Sequence, residues 1–132
     1  MRLGWTLFSR SRRPHPPYGH RSGIIRTSYA LYRETRLRDD TQRELRGILD
    51  WFNAHLARPD RLSISRHPRA KATAISWMRA SAHEHLAQLR RLAVLVEANG
   101  AVVRELRTDR PGYVVYEDAH QVVALPFADT PR

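Results

Sequence analysis

From Asp40 to Leu56 the apolar positions Leu45, Ile48, Leu49, Phe52 and Leu56 recur at intervals of three and four, the spacing that lines one face of an α-helix. Trp51 widens the stripe. Thr41-x-x-Glu44 has the form of a capping box, in which two side chains answer two orphan backbone donors reciprocally. Asp39 and Asp40 suit the positive end of the helix dipole, and Arg58-Pro59 stops the run. Gly47 weakens such a helix by about 1 kcal/mol relative to Ala and is expected where packing is close. Ser81 to Asn99 repeats the signature. Ala82, Leu86, Leu89, Ala93 and Val96 follow helical spacing, Leu92 and Leu95 broaden the face, Ser81-x-x-Glu84 is a second box, and Gly100 fits the left-handed position after the last turn.

Elsewhere the period falls to two. The densest β signal is Arg110 to Phe127. Tyr113-Val114-Val115-Tyr116 is aromatic and β-branched with both faces apolar, which predicts an interior strand. Pro111-Gly112 before it is a turn pair, Glu117 to His120 is the length of a hairpin loop, Gln121 to Leu125 returns, and Pro126 removes the next donor. Ala101 to Thr108 adds a strand with Val102 and Leu106 on one face, giving a three-stranded antiparallel meander. Thr27 to Glu34 is read as a first strand with Tyr29 and Leu31 on one face, although Ala30-Leu31-Tyr32-Arg33 also suits a helix. The order is then β-α-α-β-β-β. The expected fold class is α+β: a four-stranded, mainly antiparallel sheet with two helices on one face.

Two segments fall outside this pattern. Residues 1–25 form an expected flexible cationic arm, in which Pro14, Pro16 and Pro17 exclude a helix. Such an arm grips phosphates non-specifically or is a dispensable extension. Residues 26–127 form the expected single α+β domain, and 128–132 a tail. Inside the domain, residues 58–80 read as a connector with at most a short extended piece around Leu62 to Ser65. Connections this long without regular structure are uncommon in compact domains and often functional.

Composition changes the picture chiefly through charge. The 132 residues are enough for one core, and 42% hydrophobic content fits a globular chain. The absence of cysteine excludes disulfides, thiolate chemistry and Cys-ligated zinc. No apolar run approaches the ~20 residues that span a bilayer, and Leu3 to Phe8 is short for a secretory signal, so a cytoplasmic location and no membrane partner are expected. The formal net charge is +10. Residues 1–26 hold six arginines and no acid, and residues 61–71 hold Arg61, Arg66, Arg69 and Lys71 and no acid. Lys71 is the only lysine among 23 cationic residues. Arginine favours planar, bidentate contacts to phosphate, and a GC-rich genome yields the same bias.

Catalytic and metal motifs are sparse. His83-Glu84-His85 places its imidazoles about 200° apart on a helix, whereas zincin sites need i and i+4, so these read as solvated histidines and no metal or cofactor is expected. There is no nucleophile elbow and no Gly-rich phosphate loop. The connector is the best binding segment. Arg58, Arg61, Arg66, Arg69, Lys71 and Arg79 are interleaved with Ser63, Ser65, His67 and Trp77. Cations neutralise phosphates, hydroxyls add hydrogen bonds, and an aromatic stacks on a base. The plainer reading of Trp77 is a core anchor beside Ile75 and Met78. Metal-free RNA cleavage would draw on Arg110, Tyr113 and His120, with Arg104, Arg107 and Tyr116 nearby, as charge stabilisers and acid or base.

The element order, small size, basic charge and a late strand reading Tyr113-Val114-Val115-Tyr116-Glu117 resemble the RelE/ParE-type toxin superfamily across roughly residues 27–125. That resemblance implies a bacterial, ribosome-dependent mRNA interferase using Arg, Lys, Tyr or His on the sheet. Ala74 to Trp77, Ser81 to His85 and Arg110 to Asp118 also look like segments of a group of small bacterial proteins of unknown function. Three readings follow: a small nucleic-acid-associated, RNA-contacting binding protein; a toxin-like, metal-independent interferase; and a protein-interaction module that docks a protein partner through an exposed strand or the Trp77-bearing connector.

Overall fold

The computed structural model describes residues 5–11, 24–34, 37–57 and 74–130. Its elements are β1 (Trp5–Ser11), α1 (Ile24–Tyr32), α2 (Asp39–His55), β2 (Ile75–Arg79), α3 (His83–Ala98), β3 (Val102–Thr108), β4 (Tyr113–Glu117) and β5 (Gln121–Leu125). The class is α+β, as expected, but the sheet has five strands in the order β3-β1-β2-β5-β4. Pairing is antiparallel between β1 and β2, β2 and β5, and β4 and β5.

Four expectations change. Trp5–Ser11, read as part of a flexible arm, is a strand whose Trp5 and Thr6 face Arg79 and Met78 of β2. The run read as a first strand from Thr27 is helix α1. Ile75–Arg79, read as the end of the connector, is an interior strand between β1 and β5. The meander is only a hairpin: β4 pairs with β5 and closes one edge of the sheet, while β3 lies at the opposite edge. Leu62 to Ser65, where an extended piece was expected, lies outside the described residues.

The chain divides into two compact units, each built from separate segments. One holds residues 8–56 and 87–105. Within it, α1 buries Ile24, Thr27, Ser28 and Leu31. Those intervals of three, one and three belong to a helix, and Ser28 satisfies its hydroxyl on the carbonyl of Ile24 at 2.8 Å. Tyr29 and Tyr32 then point their hydroxyls at α2, where Asn53 Nδ2 donates to Tyr29 at 3.0 Å and Arg46 donates to Tyr32 at 3.3 Å.

Helix α2 buries the predicted stripe of Leu45, Ile48, Leu49 and Phe52. Its N-cap is Arg38, whose carbonyl accepts the Gln42 N–H at 3.0 Å. Thr41 and Glu44 therefore lie inside the helix and the predicted box is not formed, while Asp39 and Asp40 occupy the first turn as expected. Helix α3 ends in a Schellman motif: Ala101 N–H bonds Val96 O at 3.0 Å, Gly100 N–H bonds Glu97 O at 3.1 Å, and Gly100 has φ +93°. Glu44 pairs with Arg91, and Glu105 with Arg90, each at 3.4 Å. Gly47 is exposed, and a Cβ there would meet nothing within 4 Å. No close packing explains it. Gly47→Ala is expected to raise stability by about 0.5–1 kcal/mol, measured as a urea midpoint shift at unchanged slope.

The other unit holds residues 1–7, 57–86 and 106–132. Its core is Trp77, Leu106 and Val122, with Ile75 packed against them. Trp77 faces Val122 across the β2–β5 ladder. The register of β4 on β5 slips between Val114 and Tyr116, so Val115 is the extra residue of a bulge. Val115 is buried, whereas Tyr113 and Val114 are exposed.

Candidate functional site

The unit that contains β2, β4 and β5 gathers its polar chemistry at the β4–β5 turn. Asp118 organises that turn. Its Oδ1 accepts the backbone N–H of His120 at 2.8 Å and of Gln121 at 3.0 Å. Its Oδ2 accepts the Tyr116 hydroxyl at 2.9 Å and Gln121 Nε2 at 3.2 Å. Arg79 of β2 reaches the same turn, donating Nε to the Asp118 carbonyl at 2.7 Å and Nη2 to Glu117 at 3.1 Å.

Gln121 is 2% exposed. Its Oε1 accepts the Ser76 hydroxyl at 2.6 Å, and its Nε2 also donates to the Ala57 carbonyl at 2.7 Å. Ala57 and Ser76 flank the basic segment 58–73 on its two sides. One buried amide therefore holds both approaches to that segment. His120, exposed, stacks on His85 of α3 with ring centroids 4.3 Å apart and planes 24° apart. His85 is buried, which corrects the reading of both helix-start histidines as solvated; His83 alone is exposed. The first bond of α3 runs from Leu86 N–H to Ala82 O, so Ala82, not Ser81, is its N-cap.

Burial pushes the Asp118 carboxyl up, but the His120 N–H, the Gln121 side chain, the Tyr116 hydroxyl and the Gln121 N–H outweigh it, and the group sits below its ordinary range. The Tyr116 hydroxyl is held above its own range, chiefly by its bond to Asp118, with burial adding to the rise. A depressed folded-state value means the unfolded chain takes up the proton first. The stability Asp118 contributes is complete above the carboxylate range and is lost as pH falls through the folded-state value. Asp118→Asn should therefore cost about 1–2 kcal/mol at neutral pH, and urea titrations should find that deficit shrinking below about pH 4.

The predicted site residues separate into three groups. Arg58, Arg61, Arg66, Arg69 and Lys71 lie outside the described residues. Trp77 is 0% exposed and Arg79 is engaged with the turn. Trp77 fills the core and Arg79 braces the β4–β5 turn. Arg110, Tyr113 and His120 do not converge. Tyr113 faces Leu125 at one end of the hairpin, while Glu117 faces Val122 at the turn end beside His120. At a strand's rise per residue the two ends are roughly 12 Å apart. Arg110 lies at the Tyr113 end, with its guanidinium 5.2 Å from the Phe127 ring centroid and 3.8 Å from Asp129.

Sequence reasoning missed Asp118, Gln121, Ser76 and His85. Only Asp118 carried a usable signal, since Asp in a short loop commonly bonds the backbone two residues on. Among the described residues no group of three His, Cys, Asp or Glu is arranged to hold a metal, and no helix is long and apolar enough to cross a membrane. Compared with known protein families, curated proteins and solved structures, the chain matches none.

Proposed function

We propose that the protein binds nucleic acid, RNA in particular, through its arginine-rich segments rather than through a catalytic pocket. The observation that carries this is the partition of charge. Residues 1–26 hold six arginines and residues 61–71 hold three arginines and Lys71, neither stretch with an acid, so together they carry a formal +10. The remaining residues balance thirteen cations against thirteen acids. A chain whose whole excess of cations lies in two acid-free segments suits phosphate tracking, where each neutralised phosphate releases counterions. The Gln121 amide adds support, because it ties down both flanks of the most basic internal segment. The separation of His120 from Arg110 and Tyr113 favours binding over interferase chemistry, which needs acid, base and charge stabiliser at one phosphate.

Fluorescence anisotropy with single-stranded RNA and duplex DNA between about 50 and 200 mM salt tests the proposal. Neutralising four to six phosphates gives log–log slopes of about −3 to −4 on the single strand. Arg61, Arg66 and Arg69 changed together to Gln should weaken binding and flatten that slope by about two, with β1 left intact. Affinity no tighter than about millimolar at low salt, or binding indifferent to salt, would overturn it.

A further inference from the structure

We propose that the open end of the β4–β5 hairpin is a stacking platform for unpaired bases, formed by Tyr113 and by Arg110 lying over Phe127. The inference rests on the nucleic-acid reading and adds to it a second, charge-independent mode and a preference for single strands.

Tyr113 is the distinctive residue. The other described tyrosines each place the hydroxyl on a partner: Tyr29 on Asn53, Tyr32 against Arg46, Tyr116 on Asp118. Tyr113 is 55% exposed on the edge strand of the sheet, next to exposed Val114. Phe127 is 37% exposed and carries the Arg110 guanidinium on its face. Because Tyr113 faces Leu125 and Phe127 follows two residues later, both rings belong to one end of the hairpin.

The backbones that carry these side chains are fixed. Arg110 N–H bonds Thr108 Oγ1 at 3.0 Å. Phe127 N–H bonds Thr130 Oγ1 at 2.9 Å, and Thr130 N–H returns to the Phe127 carbonyl at 3.2 Å. Gly112 sits so close to Leu125 and Pro126 that the two segments cannot slide. Rings on a fixed backbone, with only two side-chain torsions each, and a planar cation lose little freedom on stacking, and base faces are the sequence-tolerant partners for both.

The platform is not a phosphate site. Asp129 lies 3.8 Å from Arg110 and offsets its charge. Base stacking here and phosphate neutralisation by the arginine-rich segments therefore leave separable signatures. The first responds to unstacked bases and not to salt, the second to salt and not to bases. A duplex, whose base faces are already stacked, gains nothing from the platform.

Three probes of equal length separate these contributions: single-stranded RNA, the same strand with abasic sites at every position, and duplex DNA. Native protein should bind the intact strand roughly 10- to 100-fold more tightly than the abasic one. Tyr113→Ala with Phe127→Ala should lose that margin, leaving the salt slope and the duplex affinity unchanged; Tyr113→Phe, which keeps the ring, should retain most of it. Equal native affinity for intact and abasic strands overturns the platform, and needs no variant to fold. So does a double variant that still discriminates, or one that loses duplex affinity in the same proportion. Salt-dependent binding without base discrimination sinks the platform alone. No salt-dependent binding to any probe sinks the nucleic-acid reading as well.

Discussion

Gly112→Ala is expected to remove at least about 3 kcal/mol of stability, and Gly100→Ala only about 1–2 kcal/mol. Both glycines have positive φ, +93° at Gly100 and +132° at Gly112. They differ in what a side chain would meet. At Gly100 a Cβ would point into open space. At Gly112 it would run into the Leu125 carbonyl and lie 3.0 Å from the Cα of Pro126. Backbone cannot rotate away as a side-chain tip can, so β5 would have to move. Moving it disturbs the strand that carries Val122 and Gln121, and with them the core around Trp77. Thermal unfolding of the two variants under one set of conditions checks this. For a chain of this size each kcal/mol is about 3–6 °C, so Gly112→Ala should fall by about 10 °C or more. Equal losses would mean that the hairpin's open end is not as tightly apposed as the close contact requires.

The pairing that Gly112 permits was legible in part. Pro111-Gly112 announced a turn, and the strand–loop–strand pattern from Tyr113 to Leu125 matches β5 residue for residue and β4 to within one residue, Glu117 joining the strand rather than the loop. Helices α2 and α3 were equally readable, because long apolar stripes with a clear 3.6 period leave little alternative. Their exact starts were not. The side chains of a capping box occur inside helices as well as at their ends, and at both helices the chain entered through a different residue, Arg38 and Ala82.

The errors share a cause. Helix α1 and strand β2 are short, nine and five residues, too short for periodicity to decide between states without tertiary contacts. In α1 the buried face includes Thr27 and Ser28, which an apolar count overlooks. In β2 the sequence Ile75-Ser76-Trp77-Met78-Arg79 follows a basic stretch and was absorbed into it. The interior position predicted for β4 fails for another reason. β4 closes an edge of the sheet, where Tyr113 and Val114, on opposite faces, both remain exposed, and only Val115, the inserted residue of the bulge, is buried. Of the candidate site, the sequence shows where the charge lies but not what holds its flanks. Gln121 is a polar residue on a strand, and its three partners, Ala57, Ser76 and Asp118, come from three parts of the chain. No local pattern encodes such a convergence.

Trp77→Ala should cost about 3–5 kcal/mol, and Trp77→Phe markedly less. Trp77 is completely buried against Val122, Leu106 and Ile75, so truncation to alanine opens a cavity that strands β2 and β5, fixed by their ladder, cannot close. Phenylalanine keeps most of the contact surface. It also removes an indole N–H that is buried with no acceptor among the described residues, a group whose desolvation opposes folding in the native protein. Losing it recovers part of the lost packing, so the net cost of Trp77→Phe should be about 1–2 kcal/mol. Trp77→Leu, which keeps apolar bulk and removes the aromatic ring, discriminates between the two roles that the sequence leaves open for this residue. A base-stacking tryptophan would lose affinity for single-stranded RNA when changed to leucine, whatever happens to stability. A core tryptophan loses stability and leaves affinity and salt slope where they were. Urea unfolding and anisotropy titration of Trp77→Leu, both under conditions where the variant is folded, should return the second result. Weakened RNA binding at unchanged stability would instead mean that the ring leaves the core to meet the ligand.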